Sequence, residues 1–266
     1  MKSIRLVLLD LDGTLYVEDV AIDGAVEAVN RLREQGLMLR FLTNTTTRSQ
    51  SELYQQLKRM GFALNPNELI SAPIAAVLEL RTLQQEAGRQ LRIWPVVANA
   101  IEMDFAEFEY DDVAPDFIVL GDIGDAWNVM LINQLFTAMH NGAQLIALHK
   151  NRFWQTQDHL KVDIGFYVAG LEYVTGKTAQ IMGKPSAAFF NRVLAEVNAT
   201  PDQAVLVGDD LDSDVGGAQR HGIDGVLVQT GKFRQQYFEQ SSIKPDGILT
   251  SIAALPEFLR TKFIAM

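Results

Sequence analysis

The chain has 266 residues, 48% of them hydrophobic and 21% charged, which is material for one large globular domain or two modest ones. Its 33 acidic residues outnumber 23 basic ones, giving a formal charge of −10 and arguing against a nucleic-acid partner, since such proteins carry a basic patch or stripe. The absence of cysteine excludes disulfides, thiol catalysis and thiolate zinc sites.

The opening, MKSIRLVLLD, combines positive charge with an apolar run. The run is short and aspartates cut it off before any small-residue cleavage site, so it reads as a strand, Ile4 to Leu9, and not as a secretory leader. A helix follows in GAVEAVNRLREQG, with Gly36 suited to its C-terminal cap. LMLRFLTN is a second strand ending at Thr43 and Asn44. SQSELYQQLKRMG is a second helix, with Ser49 or Ser51 as N-cap and Gly61 closing it. This alternation predicts a parallel sheet covered by helices on both faces.

The middle of the chain carries three further strand patterns, LRIWPVV, DFIVLGD and QLIALH, with helices such as NVMLINQLFTAMHNG between them. The acidic run MDFAEFEYDDVAPD reads as a solvated helix and loop. The first pattern then resumes. SAAFFNRVLAEVN is a helix, AVLVGDD a strand ending in acids, and DSDVGGAQRHG the start and stop of a helix. GVLVQTG is a strand and SIAALPEFLRTKF a terminal helix. The fold class expected is α/β: a parallel-sheet core from residues 1–77 and 178–266, with a second α/β domain inserted over 78–177. No stretch approaches the apolar length of a membrane span, so the expectation is a cytoplasmic protein with no membrane partner.

The strand ends carry the chemistry. DLDGT is not a calcium loop, which needs Gly at its sixth position, whereas here Gly13 is fourth and Thr14 stands where a third acid belongs. Two readings remain. The acids are solvated at an ordinary strand exit, or they face a ligand, because open parallel sheets bind ligands beyond their carboxyl ends. On the second reading, alternation returns Asp12 to the side of Asp10. Gly13 lets the chain turn sharply. One carboxylate is then available as nucleophile while the other moves the proton.

DLDGT resembles the first signature of the haloacid dehalogenase (HAD) superfamily, and its other three signatures can be matched in order. FLTN resembles the second, which implies that Thr43 and Asn44 hold phosphate oxygens. MGKPS resembles the third, which makes Lys184 the fixed cation. VLVGDDLDSD resembles the fourth, with Asp209 a metal ligand and Asp210 and Asp214 further acids around it. The resemblance implies a HAD-like, Rossmann-like core and a phosphatase mechanism in which Asp10 attacks phosphorus while Asp12 protonates the leaving oxygen. Family members with a long-lived phosphoenzyme, and the dehalogenases, lack an acid at the position of Asp12.

An all-oxygen donor set with a phosphate suits Mg²⁺. The expected donors are the carboxylates of Asp10 and Asp209 and the backbone carbonyl of Asp12, with Asp214 orienting Lys184 or a metal-bound water. About thirty residues separate Asp12 from Thr43, too few for an extra domain, whereas roughly 140 separate Asn44 from Lys184. This spacing resembles the NagD-like type, with its α/β cap between the second and third signatures. FLTNTTTRS, IALHKNRFW and GFYVAGLEYVTGK further resemble HAD-like hydrolase domain-containing proteins and phospholysine phosphohistidine inorganic pyrophosphate phosphatases. In place of their Gly-Pro-rich loop this chain has DIGFYVAG.

The substrate implied is a small phosphorylated metabolite: a phosphomonoester, pyrophosphate or phosphoramide. A phosphomutase and a non-catalytic binding protein on the same fold are the alternatives. Gly165, Phe166 and Tyr167 are the expected specificity residues of the inserted domain, and Lys150 and Arg152 read as a solvated strand end. His140, His159 and His221 read as surface or helix-end residues. An apolar face on the inserted domain could support a homodimer.

Overall fold

A computed structural model describes residues 3–155 and 160–262, so His159 lies outside the described residues. The chain divides into two compact units, one of residues 1–43, 51–70 and 184–266, the other of 44–50 and 71–183. The junctions expected at 77/78 and 177/178 both fall within the second unit.

In the first unit β1 (Leu6–Asp10) is buried at every position. A strand covered on both faces reads as a continuous apolar run, which is why no alternation is visible there. The strand begins later than Ile4 and ends on Asp10 itself, so the acid belongs to the last residue of the sheet and not to the turn. α1 (Ala25–Glu34) buries Ala25, Ala28, Val29 and Leu32, the spacing of one helical face, and Gly36 follows at φ +78°. β2 (Met38–Thr43), α2 (Gln50–Arg59) and β3 (Leu69–Ser71) complete the first run.

The chain comes back through α6 (Ala187–Ala195), β11 (Ala204–Gly208), β12 (Asp224–Val228), α7 (Gln235–Gln240), β13 (Gly247–Leu249) and α8 (Leu255–Lys262), the elements numbered between belonging to the second unit. The sheet order is β13-β12-β11-β1-β2-β3. β1 pairs in parallel with β11 on one side and β2 on the other, Leu9 opposite Val207 and Asp10 opposite Leu42. That register puts Asp10, Thr43 and Asp209, the residue after β11, at one carboxyl edge. Leu9, Phe41, Val207 and Val226 form a core with Val29, Leu32, Leu53, Leu57 and Leu259 from the covering helices. This packed layer holds the edge residues in place.

The second unit starts on α3 (Ala72–Ala87), whose Ser71 N-cap accepts from the Ile74 N–H at 3.4 Å, with a proline in the first turn. β4 (Arg92–Val96), β5 (Glu109–Tyr110), β6 (Phe117–Leu120), α4 (Val129–His140) and β7 (Gln144–Ala147) follow. Next come a hairpin of β8 (Phe153–Gln155) and β9 (Leu160–Val162), then α5 (Ile164–Thr175) and β10 (Gln180–Ile181). Its sheet runs β10-β7-β6-β4-β5, with parallel pairings throughout. The three expected strands are β4, β6 and β7. β5 and β10 were not expected, because two residues are too short to show any periodicity. β5 also takes up part of the acidic run, whose Met103–Phe105 forms a 3-10 turn. Among the described residues no helix is long and apolar enough to cross a membrane.

Candidate active site

Four segments of the first unit bring polar and charged side chains to the carboxyl edge of its sheet. Asp10 ends β1, only 7% exposed. Thr14, wholly buried in the turn that follows, donates from its hydroxyl to Asp10 Oδ2 at 3.2 Å. The Lys184 ammonium, 4% exposed, donates to Asp10 Oδ1 and, at 2.7 Å, to Asp214 Oδ1. Asp209, 2% exposed, receives the Lys232 backbone N–H on Oδ2 at 2.6 Å. Thr43 ends β2, buried at the same edge.

The local sequence around β11 explains how Asp214 gets there. Asp210 caps the wide π-type turn of Leu211–Gly216, its Oδ1 accepting from the N–H groups of Asp212 at 3.1 Å and Ser213 at 3.0 Å. The Asp210 N–H in turn donates to Asp214 Oδ2 at 3.2 Å. A β-carbon on Gly208 would fall 2.3 Å from that same oxygen, so only glycine fits before the acid pair. Asp210 also accepts from the Lys232 ammonium at 3.3 Å.

The electrostatics follow from burial. One oxygen from each of Asp10, Asp209 and Asp214 lies within 4.8 Å of the others. Burial pushes Asp209 up to about 6, and burial together with the charge of Asp10 pushes Asp214 up to about 7. Asp10 is raised by burial too, against the pull of Lys184. Burial alone would lower Lys184, but Asp10 and Asp214 outweigh it and hold the ammonium charged. Asp210 moves the other way, since its hydrogen bonds from Ser213 and Lys232 overcome its burial. Three buried carboxylates facing one buried ammonium leave negative charge uncompensated. An all-oxygen donor set with that excess fits a hard divalent cation.

The structure thus brings Asp10, Lys184, Asp209 and Asp214 together. Asp12 lies two residues beyond Asp10 with an exposed side chain, and its carboxylate is not part of the cluster. Asn44 belongs to the second unit, where a β-carbon on Gly183 would come 3.1 Å from its Oδ1. In that unit Gly165 packs its backbone on the 150–151 loop, where a β-carbon would lie 2.2 Å from the Asn151 carbonyl oxygen. Phe166 is exposed, while Tyr167 stacks on Trp127 with ring centres 3.7 Å apart. Lys150 pairs with Glu172. His140 is exposed and His221 half-buried, its Nε2 3.3 Å from the Pro185 carbonyl oxygen.

Sequence reasoning did not find Thr14 as a partner of Asp10, nor Lys232, nor His149. His149 is buried with its Nε2 3.9 Å from Asp163, and burial lowers its pKa. The signal for Thr14 was present in DLDGT, where a hydroxyl takes the place of a third acid. Cavities of about 620 and 670 Å³ lie in the second unit, lined by none of the clustered residues, whereas one of about 250 Å³ borders Asp209 and Lys232.

Residues 7–111 match the haloacid dehalogenase-like hydrolase family and residues 181–255 the HAD-hydrolase-like family. Haloacid dehalogenase-like hydrolase domain-containing protein 2 of Bos taurus is 37% identical over 249 residues, covering 94% of this chain and 92% of the relative. Phospholysine phosphohistidine inorganic pyrophosphate phosphatase of Xenopus laevis is 36% identical over 265 residues, 97% of this chain and 95% of that protein. The solved p-nitrophenyl phosphatase from Archaeoglobus fulgidus superposes with a TM-score of 0.85 at 25% identity, covering 97% of this chain and all (100%) of that one.

Proposed function

We propose, for a chain that belongs to the haloacid dehalogenase-like hydrolase family and is one of its NagD-like phosphatases, a Mg²⁺-dependent hydrolysis through an aspartyl-phosphate on Asp10. The substrate class is a small phosphorylated metabolite, as a phosphomonoester, pyrophosphate or phosphoramide, in keeping with the names of the phosphatase relatives.

The observation that carries this reading is the buried Lys184 ammonium shared between Asp10 and Asp214. It opposes the burial that raises Asp10, and so favours the ionised carboxylate that a nucleophile must be. In the first step an Asp10 oxygen bonds to phosphorus as the bond to the leaving oxygen breaks, and Asp12 gives that oxygen its proton. In the second, a water oxygen bonds to phosphorus as the Asp10 O–P bond breaks, Asp12 takes the water's proton, and inorganic phosphate leaves with the Asp10 carboxylate regenerated. The exposure of Asp12 suits a group that exchanges protons with substrate and solvent. Thr43, Asn44 and Lys184 are assigned to the phosphoryl oxygens. Asp10 and Asp209, with the Asp12 carbonyl and the Asp214 carboxylate, are assigned to the cation, and Asp210 to holding Asp214. The cation, when bound, neutralises charge on the phosphoryl group. Leaving-group selection is assigned to the inserted unit, with Gly165, Phe166 and Tyr167 the positions to vary.

The test is release of nitrophenol from p-nitrophenyl phosphate with and without Mg²⁺. Turnover is expected only with the metal, and Asp10→Asn is expected to lose about 10⁴-fold or more with an unchanged circular dichroism spectrum. Metal-independent turnover, or an Asp10→Asn enzyme at the wild-type rate, would remove the assignment.

A further inference from the structure

A fifth segment reaches the carboxylates. β12 ends at Val228, and the loop Thr230-Gly231-Lys232 that follows it lies against Asp209. The Lys232 N–H donates to Asp209 Oδ2 at 2.6 Å. Gly231 has φ +55°, and a β-carbon there would fall 2.1 Å from the same oxygen and 2.5 Å from the Gly13 Cα. Gly13 has φ +82°, and a β-carbon on it would lie 1.9 Å from Asp209 Oδ2. Two glycines from distant parts of the chain therefore press their backbones on one carboxylate oxygen, in conformations that favour glycine at both positions. The Thr230 hydroxyl donates to the Gly13 carbonyl at 2.5 Å and ties the two loops to each other.

We propose that Thr230, Gly231 and the Lys232 amide form a positioning segment for Asp209, fixing its Oδ2 between the two glycine backbones so that Oδ1 is the oxygen offered to the cation. The inference rests on the metal-dependent reading above and deepens it. None of the four signature segments contains these residues. The reason such a device is needed is electrostatic. An Asp209 free to rotate would turn away from Asp10 and Asp214, whose negative charge repels it, so something must hold it inward before a cation arrives. The backbone amide holds one oxygen in place, the charge of the Lys232 ammonium nearby favours the ionised carboxylate, and the Thr230 bond keeps the amide where it is. Thr230 and Gly231 are positioning residues that act through Asp209 and Gly13.

The experiment is isothermal titration calorimetry of the full chain with MgCl₂, alongside the nitrophenyl phosphate assay and thermal unfolding. Thr230→Val is expected to weaken Mg²⁺ binding about 10-fold and Gly231→Ala about 100-fold, the range seen when support for a metal ligand is removed. Thr230→Ser is expected to restore the wild-type affinity, and excess Mg²⁺ to restore most of kcat in Thr230→Val. A merely structural role would lower the melting midpoint without this metal-dependent rescue. If Gly231→Ala fails to fold, the Thr230→Val and Thr230→Ser pair decides the matter. Wild-type binding in a folded Thr230→Val enzyme overturns the positioning role alone. A wild-type chain that neither binds Mg²⁺ nor releases nitrophenol overturns the functional reading and this inference with it.

Discussion

Lys184 is the residue on which the charge balance of the cluster turns. It is 4% exposed, and its ammonium is the only buried side-chain cation, among the described residues, bonded to Asp10 and Asp214. Removing one partner of a buried ion pair costs more than the pair contributes, because the remaining charge is left without compensation. Lys184→Met is therefore expected to destabilise the fold by about 3–5 kcal/mol at neutral pH, measured by urea unfolding. An unchanged unfolding midpoint would mean that the acids had found other compensation. At this scale the sequence was informative where a charge closes an apolar run, as with Asp10, Asp209 and Lys184. It was silent on Lys232, whose bond to Asp209 is made by a backbone N–H that every residue but proline owns, beside the pull of its ammonium charge.

At the scale of elements, two joints in the second unit are open to test. α5 begins against the 150–151 loop, where the Gly165 N–H donates to the Asn151 carbonyl at 3.0 Å and leaves no room for a methyl group. Gly165→Ala is expected to cost about 1–3 kcal/mol by overpacking, read as a lower thermal midpoint. At the start of β4, Asp116 accepts from both terminal nitrogens of Arg89 at 2.7 and 2.8 Å and from the Arg92 N–H at 2.9 Å. The Arg89 guanidinium holds the Asp116 carboxyl well below the usual carboxylate range. A carboxyl depressed in the folded state stabilises fully above its unfolded value, near about 3.9, and that contribution is lost as pH falls through the lower folded value. Asp116→Asn should then lower the melting midpoint at pH 7, with a deficit that shrinks steadily below about pH 4. A deficit constant down to pH 2 would assign the loss to packing. The elements themselves were legible in proportion to length: β1 shows an unbroken apolar run up to its closing acid and α1 and α2 a buried face over ten residues, whereas β5 and β10, at two residues each, show no pattern.

For the whole molecule the formal charge of −10 sets the background against which a phosphate must bind, so the attraction has to be local. A cation that binds only the folded chain raises its stability by mass action, about 2.7 kcal/mol at a hundred times Kd. Mg²⁺ is thus expected to raise the melting midpoint of the wild type, and EDTA to reverse it, in a calorimetric scan; no shift would count against a cation among the three aspartates. What the sequence by itself determined is the alternation of strand and helix, and the placing of acids, a threonine and a lysine at ends of apolar segments, since burial periodicity and the cost of burying charge are both written locally. What only the tertiary structure decided is which of those groups meet. Asp214 joins Asp10 and Asp209 where the side chain of Asp12 does not, and the loop after β12 closes on Asp209, because strand order and the π-type turn after Asp210 set distances between residues that no local pattern relates.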